Sequence, residues 1–175
     1  MEKVVHQRVE VVDYDPAWPA AFEEKRQELI ALVGEVIVAV SHIGSTAVPG
    51  LAAKPVIDIL LEVTGLDELD SLTQRFSDNG YQVWGENQIL GRRYFTKGTM
   101  PRTHNIHGFQ TGHTGLARHI AFRDYLISNP EIAAEYGQLK RKLAARCKND
   151  IELYCAGKDP FIKEHERIAL TRYLP

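Results

Sequence analysis

Hydrophobic residues along the chain follow two periods, which together predict short strands interleaved with helices. Period-two alternation, or a short apolar run bounded by glycine-bearing turns, predicts a strand. Such segments occur at residues 4–12, 36–42, 56–63, 81–84, 92–97 and 103–109. The longest apolar runs, such as VIVAV at 36–40, have the length of strands and not of membrane spans.

Helical periods separate these strands and take over in the last third of the chain. Helix-start signals, in which a capping residue precedes a proline, stand at Asp15-Pro16, Asn129-Pro130 and Asp159-Pro160. Apolar residues recur with helical spacing after each of them, and also over residues 66–79 and 116–127. The order of elements predicts a mixed sheet with helices, followed by a helical part packed on it.

The composition of the 175 residues is that of an ordinary globular protein, with 44% hydrophobic residues, 25% charged residues and a net charge of -2. These values argue against disordered, fibrous and membrane classes, and the length fits one domain. We therefore predict a single α+β domain over residues 1–175. Its sheet core covers about residues 1–112 and its helical part about residues 113–175.

Targeting signals and cysteine spacing predict the compartment. The N-terminal residues lack the apolar core of a signal peptide. Cys147 and Cys155 have neither the spacing nor the number of partners for a metal site or a disulfide framework. We therefore expect a cytoplasmic protein with no membrane association.

Positive charge is concentrated in one segment of this otherwise acidic chain. Residues 92–123 contain six Lys or Arg residues, no Asp or Glu, and four of the seven histidines. A local run of one sign favours an anionic ligand there. The alternative is a solvated surface whose acidic partners come from other parts of the chain. A pI near 6.4 and the lack of exposed aromatic residues interleaved with the charges argue against nucleic acid as a partner.

The segment at residues 42–63 carries the most specific signals for chemistry. A strand that runs into Gly44-Ser45 offers backbone N–H groups and a hydroxyl that can cradle a phosphate, although the segment is not a P-loop. Asp58 then lies in an apolar strand, where a carboxylate is costly unless it is paired, hydrogen-bonded or bound to a metal. A buried ion pair with a nearby Lys or Arg is the alternative.

The sequence GSTAVPGLAAKPVID at residues 44–58 resembles the signature of the GrpB family, within the superfamily of polymerase-beta-like nucleotidyltransferases. The resemblance continues through RRYFTKG at 92–98, RTHNIH at 102–107 and HIAFRDYL at 119–126. It implies a nucleotidyltransferase-like mixed β-sheet flanked by helices, with a helical C-terminal extension. Working nucleotidyltransferases carry Asp-x-Asp after the Gly-Ser turn, whereas Leu60 stands here at the second position. The ordinary two-metal mechanism is therefore not expected.

The resemblance also predicts an incomplete metal site. Nucleotidyltransferases take a third carboxylate from a neighbouring strand, and the corresponding strand here offers Asn105 and His107, which alternation puts on one face. We predict that Asp58 is catalytic and that, together with His107, it could bind Mg²⁺ or another divalent metal. The alternative for His107 is a half-buried histidine satisfied by a hydrogen bond, because one Asp–His pair is an incomplete site.

Polar and cationic residues around the loop are predicted to bind the ligand. On the helix predicted over 116–127, His119 and Arg123 lie inside an apolar arc and are expected to face a cleft. The alternative is an ion pair of Arg123 with Asp58 or Glu62. The complete predicted ligand set is Gly44, Ser45, Lys54, Arg93, Arg102, His119 and Arg123.

We expect this set to bind a phosphorylated small molecule, in the first place a nucleotide, with nucleotidyl transfer as the reaction if the site is catalytic. The first alternative is a non-catalytic ligand-binding or protein-interaction module, in which Asp58 is only a counter-ion. The second is a metal-dependent hydrolase that uses the histidines. The basic run at 140–142 is expected to be solvated and Tyr136 to lie in the core, and no chemistry is assigned to Tyr154 or Lys158.

Overall fold

A computed structural model describes residues 8–99 and 101–173 of the chain. In these residues the chain forms helices α1 (Trp18–Val33), α2 (Leu66–Ser71), α3 (Thr73–Asp78), α4 (Thr114–Ser128), α5 (Pro130–Arg146) and α6 (Ile151–Tyr173). Its strands are β1 (Ile37–Ile43), β2 (Ile57–Val63), β3 (Tyr81–Val83), β4 (Arg92–Lys97) and β5 (His104–Gln110). A short 3-10 turn at Ser45–Ala47 follows β1.

The strands form one mixed sheet in the order β1-β2-β5-β4-β3. Strands β2 and β5 run parallel at its centre, and the other neighbouring pairs are antiparallel. Strand β2 is a nearly continuous apolar run because helices cover both of its faces. The register places Asp58 beside Asn105 of β5 on one side and beside Ile43 of β1 on the other.

Alternation along β2 divides the core into two layers. Ile57, Ile59 and Leu61 pack against the first three helices, in a cluster that includes Leu29 of α1 and Phe76 of α3. The face that carries Asp58 looks toward the C-terminal helices. There α4 packs on the sheet through an apolar cluster of Ile43, Leu60 and Phe109, and α5 and α6 pack on α4 and on the loop after β1. The α+β architecture with a helical C-terminal extension is confirmed.

The predicted boundaries need correction at three places in the first half of the chain. Of the first predicted strand, residues 4–7 lie outside the described residues, and residues 8–12 contribute only an isolated bridge between Val12 and Ala53. The helix predicted over 66–79 is two short helices, because the helical backbone is interrupted at Leu72. Asp15 precedes α1 without capping it, since its carboxylate accepts from the N–H of Ala17 and the helix begins at Trp18.

The last helix begins earlier than the Asp159-Pro160 signal predicted. The carboxylate of Asp150 accepts hydrogen bonds from the N–H groups of Glu152 and Leu153, at 3.0 and 3.1 Å, and so starts α6 at Ile151. Pro160 then lies inside the helix. Because of this longer helix, residues 151–158 lie beside α5 and the loop after β1.

No helix formed by residues 8–99 and 101–173 is both long and apolar enough to cross a lipid bilayer.

Candidate functional site

Asp58 lies near the start of β2, on the sheet face toward the C-terminal helices. Its Oδ1 accepts a hydrogen bond from Nδ2 of Asn105 at 3.0 Å and lies 3.3 Å from Nε2 of His107. Burial raises the pKa of Asp58, but the bonds from His107 and Asn105 and the charge of Lys54 outweigh burial and leave the pKa below its usual value. Asp58 is therefore a carboxylate at neutral pH.

Gly44 brings the loop backbone directly against this carboxylate. The residue has a φ of +72° and a ψ of -171°, a backbone conformation that is essentially restricted to glycine. A Cβ at this position would lie 2.7 Å from Oδ2 of Asp58. Gly44 therefore serves the close approach of the turn beginning at Ser45 to Asp58.

A cavity of about 190 Å³ lies between this loop, the sheet and the last two helices. It is lined by Ser45, Thr46, Ala53, Lys54, Val56, Asp58, Asn105, Lys140, Tyr154 and Lys158. Three of these residues are lysines and one is a carboxylate, so we call it the lysine cavity. Its cationic half comes from Lys140 of α5 and Lys158 of α6, together with Lys54 of the loop.

Lys140 is the most unusual residue of the lysine cavity. It is only 2% exposed, and its Nζ has no hydrogen-bond partner among the described residues. The Nζ lies 4.5 Å from the centre of the Tyr136 ring. Burial and the nearby Lys158 lower the pKa of Lys140 to about 6, against the opposite effect of Asp58. At neutral pH the buried amine is therefore mostly uncharged in the free protein, and an anion in the cavity would favour its protonated form, so this position favours an anionic ligand.

Lys158 and Lys54 share the ring of Tyr154, which lies at the cavity wall. Their Nζ atoms are 4.5 and 5.5 Å from the ring centre. Burial, followed by the charge of Lys54, lowers the pKa of Lys158, although Cys155 and Asp58 act in the opposite direction. Each of the three lysine Nζ atoms thus lies against an aromatic face, with Asp58 as the carboxylate of the cavity.

The structure brings together five of the residues predicted from the sequence, namely Gly44, Ser45, Lys54, Asp58 and His107. It corrects the prediction for residue 140, because Lys140 is buried and not solvated. Sequence reasoning also missed Tyr154 and Lys158. A signal was present, since Tyr136 and Lys140 on α5, and Tyr154 and Lys158 on α6, repeat the same i,i+4 spacing that lays a lysine over a tyrosine ring.

Arg93 and Arg123 do not line the lysine cavity, in contrast to the prediction. Strand alternation sends Arg93 to the opposite face of the sheet, where it holds both carboxylate oxygens of Asp70 at 2.7 and 2.9 Å. Arg123 donates to the carboxylate of Asp124 at 2.8 Å and to the carbonyl of His42 at 3.0 Å. It therefore ties α4 to the edge strand β1.

His119 lies beneath the site and outside the lysine cavity. Its ring is 5.4 Å from that of His107 and 6.1 Å from that of Phe109, and its Nε2 has no hydrogen-bond partner in the part of the chain that the structure describes. Burial lowers the pKa of His119 to about 3, and the neighbouring His107 acts in the same direction. His119 is therefore neutral at pH 7 and packs behind the residue that contacts Asp58.

Arg102 lies next to the lysine cavity, on the wall of a larger one of about 520 Å³. Its Nη1 is 3.4 Å from the hydroxyl of Tyr94, which in turn donates to Oδ1 of Asn105 at 3.0 Å. Lys54, Val56 and Asn105 line both cavities. The ligand-binding role of Arg102 stays a prediction.

Most of the positive charge in residues 92–123 is neutralised within the protein. Four of its six cations pair with carboxylates: Arg93 with Asp70, Lys97 with Glu28, Arg118 with Glu166, and Arg123 with Asp124. For these four residues the alternative interpretation applies, in which acidic partners come from other parts of the chain. The other two, Arg92 and Arg102, form no ion pair with a carboxylate of the described residues, and neither of them lines the lysine cavity, whose three lysines lie outside this segment.

The donors around Asp58 do not fit the two-metal site of nucleotidyltransferases. Leu60 holds the position of the second carboxylate and is buried against Ile43 and Phe109. Within residues 8–99 and 101–173, no group of three or more His, Cys, Asp or Glu side chains is arranged to hold a metal ion. The alternative of a metal-dependent hydrolase therefore finds no ligand set there. A single divalent ion at Asp58 and His107 stays a prediction.

Comparison with known proteins gives one family over nearly the whole chain. A family model described as GrpB protein matches residues 8–167. UPF0157 protein YqkA of Bacillus subtilis is 43% identical over 162 residues, a match that covers 93% of this chain and 47% of that protein. This chain thus spans about half the length of that relative. The crystal structure of conserved protein GrpB from Enterococcus faecalis has a TM-score of 0.91 at 45% identity, over 95% of this chain and 100% of that chain.

Two more distant similarities extend the comparison. A structure of the Cid1 poly(U) polymerase has a TM-score of 0.50 at 14% identity, over 74% of this chain and 42% of that chain, a likeness of fold alone. A protein of Mycolicibacterium paratuberculosis named dephospho-CoA kinase is 29% identical over 186 residues, a match that covers 92% of this chain and 46% of that protein.

Proposed function

The chain belongs to the GrpB family, and we propose that it binds the phosphate group of a small molecule, in the first place a nucleotide, in the lysine cavity. The phosphate contacts Lys140 and Lys158 from the helices and Lys54 and the Ser45 hydroxyl from the loop. Asp58 orients this loop through its packing against Gly44. The walls of the lysine cavity come from the loop and sheet and from helices α5 and α6, so a bound ligand contacts both parts of the chain.

The observation that carries this proposal is the buried Nζ of Lys140, which has no hydrogen-bond partner in residues 8–99 and 101–173. Burying this group without a partner destabilises the free protein. When an anion enters, the group gains a charged hydrogen bond, and such bonds are stronger than neutral ones. When all are ionised, the three lysines exceed the one carboxylate of the cavity by two positive charges. A phosphate monoester carries up to two negative charges and matches this excess.

The relative named dephospho-CoA kinase supports the choice of ligands to test first. This chain matches 46% of that protein, so a unit similar to this chain is joined there to further sequence, in a protein named for phosphorylating a coenzyme precursor. Dephospho-CoA is a nucleotide with a diphosphate group. Nucleotides and coenzyme A precursors are therefore the first probes.

Titration calorimetry with pyrophosphate, ATP and dephospho-CoA, each with and without Mg²⁺, tests the proposal. We expect at least one of these probes to bind and to stabilise the folded chain. At 100 times its dissociation constant a ligand adds about 2.7 kcal/mol to the free energy of unfolding. For a chain of this size that corresponds to a rise of roughly 5–10 °C in melting temperature.

The matched variants are Lys140→Met and Lys142→Met. Both remove one lysine from α5, but residue 140 is buried in the cavity and residue 142 is exposed. Lys140→Met is expected to abolish the binding and Lys142→Met to preserve it. Equal affinity in the two variants, or no response of the wild-type protein to any of the probes, would sink the proposal.

Nucleotidyl transfer is the second candidate, because the first carboxylate of that active site is kept as Asp58, beside the Gly44-Ser45 turn. Asp58 would then act with a single divalent ion and with His107. The test is product formation from ATP in the presence of Mg²⁺ or Mn²⁺, which should disappear in Asp58→Ala. Turnover that survives in Asp58→Ala rules this candidate out, and binding without turnover favours the non-catalytic module.

A further inference from the structure

A second, larger cavity adjoins the lysine cavity. The two have volumes of about 190 and 520 Å³, and Lys54, Val56 and Asn105 line both of them. The rest of a molecule whose phosphate is held at Lys140 would reach the larger cavity past the side chains of these three shared residues. The character of the larger cavity then determines what kind of molecule fits.

Apolar, non-aromatic side chains make up much of the wall of the larger cavity. Five of its eleven lining residues are Val9, Pro55, Val56, Pro101 and Ile151, and none of the eleven is aromatic. Proteins usually hold a planar base by stacking it on an aromatic ring. A wall of aliphatic groups instead gives apolar contact to a chain of methylene groups.

Polar groups are interspersed on the same wall. Arg102 forms no ion pair with a carboxylate of the described residues, and its guanidinium is 3.4 Å from the Tyr94 hydroxyl. Five N–H donors on a guanidinium can bind several amide or hydroxyl oxygens of a ligand. The aliphatic wall and the N–H donors of Arg102 together suit a ligand chain that alternates methylene and amide groups.

We propose that the larger cavity binds the body of a phosphate ester whose organic part is a flexible chain of methylene and amide groups, as in 4′-phosphopantetheine, and not a planar base. This inference rests on the phosphate site of the proposed function, because the phosphate of such an ester occupies the lysine cavity, but it replaces the nucleotide as the preferred ligand. The chain passes Lys54 and Val56, contacts Ile151, and presents its amide oxygens to Arg102.

Calorimetric titration of the full chain with 4′-phosphopantetheine, AMP and inorganic phosphate tests this inference. We expect 4′-phosphopantetheine to bind at least about tenfold tighter than AMP and than inorganic phosphate, because only its chain gains the contacts of the larger cavity. AMP that binds as tightly as 4′-phosphopantetheine, or tighter, overturns the inference. Absence of binding by all three probes overturns both this inference and the proposed phosphate site.

Ile151→Glu and Leu153→Glu are the matched variants for the wall. Both residues lie in the first turn of α6 and are 42% and 60% exposed, but only Ile151 lines the larger cavity. Ile151→Glu should weaken 4′-phosphopantetheine binding by about tenfold or more and leave inorganic phosphate unaffected. Leu153→Glu should leave both affinities unchanged. Equal affinity for 4′-phosphopantetheine in the two variants, at equal melting temperatures, contradicts the placement of the chain.

Discussion

Lys140 makes the stability of the folded chain depend on pH, because its Nζ is buried near Lys54 and Lys158. Burial is the main cause that lowers its pKa to about 6, whereas lysine in an unfolded chain has a pKa of about 10.4. Between these values the unfolded chain binds a proton that the folded chain lacks. The contribution of Lys140 to the free energy of unfolding therefore rises with pH, and is lost again as pH falls toward 6.

Urea unfolding at pH 6, 7, 8 and 9 measures this effect, at pH values below the range in which tyrosines of the unfolded chain ionise. We expect a slope of up to about 1.4 kcal/mol per pH unit from this group, and a flatter profile in Lys140→Met. The variant should also be more stable than wild type at pH 7, by about 1–3 kcal/mol, because it has no unpaired polar group to bury. Parallel pH profiles for wild type and Lys140→Met would contradict the assignment, and Lys142→Met serves as the control.

Gly44 is expected to tolerate no side chain. Gly44→Ala forces a non-glycine residue into a strained backbone conformation, at a cost of about 1–3 kcal/mol, and adds a Cβ that lies 2.7 Å from Oδ2 of Asp58. Gly50→Ala is the matched control, because Gly50 also has a positive φ, of +79°, but a Cβ there meets nothing within 4 Å. Chemical denaturation should show the larger loss for Gly44→Ala. Equal losses would mean that the contact with Asp58 does not matter.

Helices α5 and α6 approach each other closely at Gly157, next to Lys158 of the cavity. An added Cβ would overlap the side chain of Leu143 on α5, whereas at Gly137 it would lie 3.4 Å from Leu51, an ordinary contact. Replacing an interior helical glycine by alanine gains about 1 kcal/mol, and overpacking costs about 1–3 kcal/mol. We therefore expect Gly137→Ala to raise the melting temperature and Gly157→Ala to leave it unchanged or lower it.

Pyrophosphate binding by the Gly157→Ala and Gly137→Ala variants distinguishes the effect of helix packing from that of helix propensity. Gly157→Ala should also weaken binding of pyrophosphate, because a shift of α6 moves Lys158 away from Lys140, while Gly137→Ala should not. A second change, Leu143→Ala, makes room for the new Cβ and should restore part of the affinity in the double variant. Stabilisation of equal size by the two glycine replacements would show that the helices do not meet there as described.

Elements whose burial pattern is local could be predicted from the sequence, and elements fixed by distant contacts could not. Strand β2 lies within a residue of its predicted span, because helices on both faces demand a continuous apolar run. The predicted start of α6 at Asp159-Pro160 is wrong, because tertiary packing overrides this local signal and the helix begins at Ile151. Tyr154 is buried against Cys147 and Val9, and this contact holds a helical turn that local preference alone would not place.

At the scale of the whole molecule, the candidate site also has one part that local sequence predicts and one part that only distant contacts create. The half of the lysine cavity that the sequence predicts is formed by Ser45, Lys54 and Asp58, which are close in sequence, with Gly44 packed against Asp58. The other half comes from α5 and α6, about 80–100 residues further along the chain, and no local pattern shows that these helices fold back on the loop. The positive charge of residues 92–123 does not mark the lysine cavity for a related reason. Its carboxylate partners can be distant in sequence, as Glu28 is from Lys97.

Because the two halves of the lysine cavity are distant in sequence, a bound phosphate should protect both of them together. Hydrogen exchange measured with pyrophosphate at 100 times its dissociation constant should slow at residues 44–58 and at residues 136–158, since ligand contacts lower the rate of local opening. Residues 66–83, which pack on the opposite face of the sheet, should change less, as should every segment in Lys140→Met. Protection confined to the loop would show that the helical lysines do not hold the phosphate. Protection confined to α5 and α6 would show that Ser45 and Lys54 do not hold the phosphate.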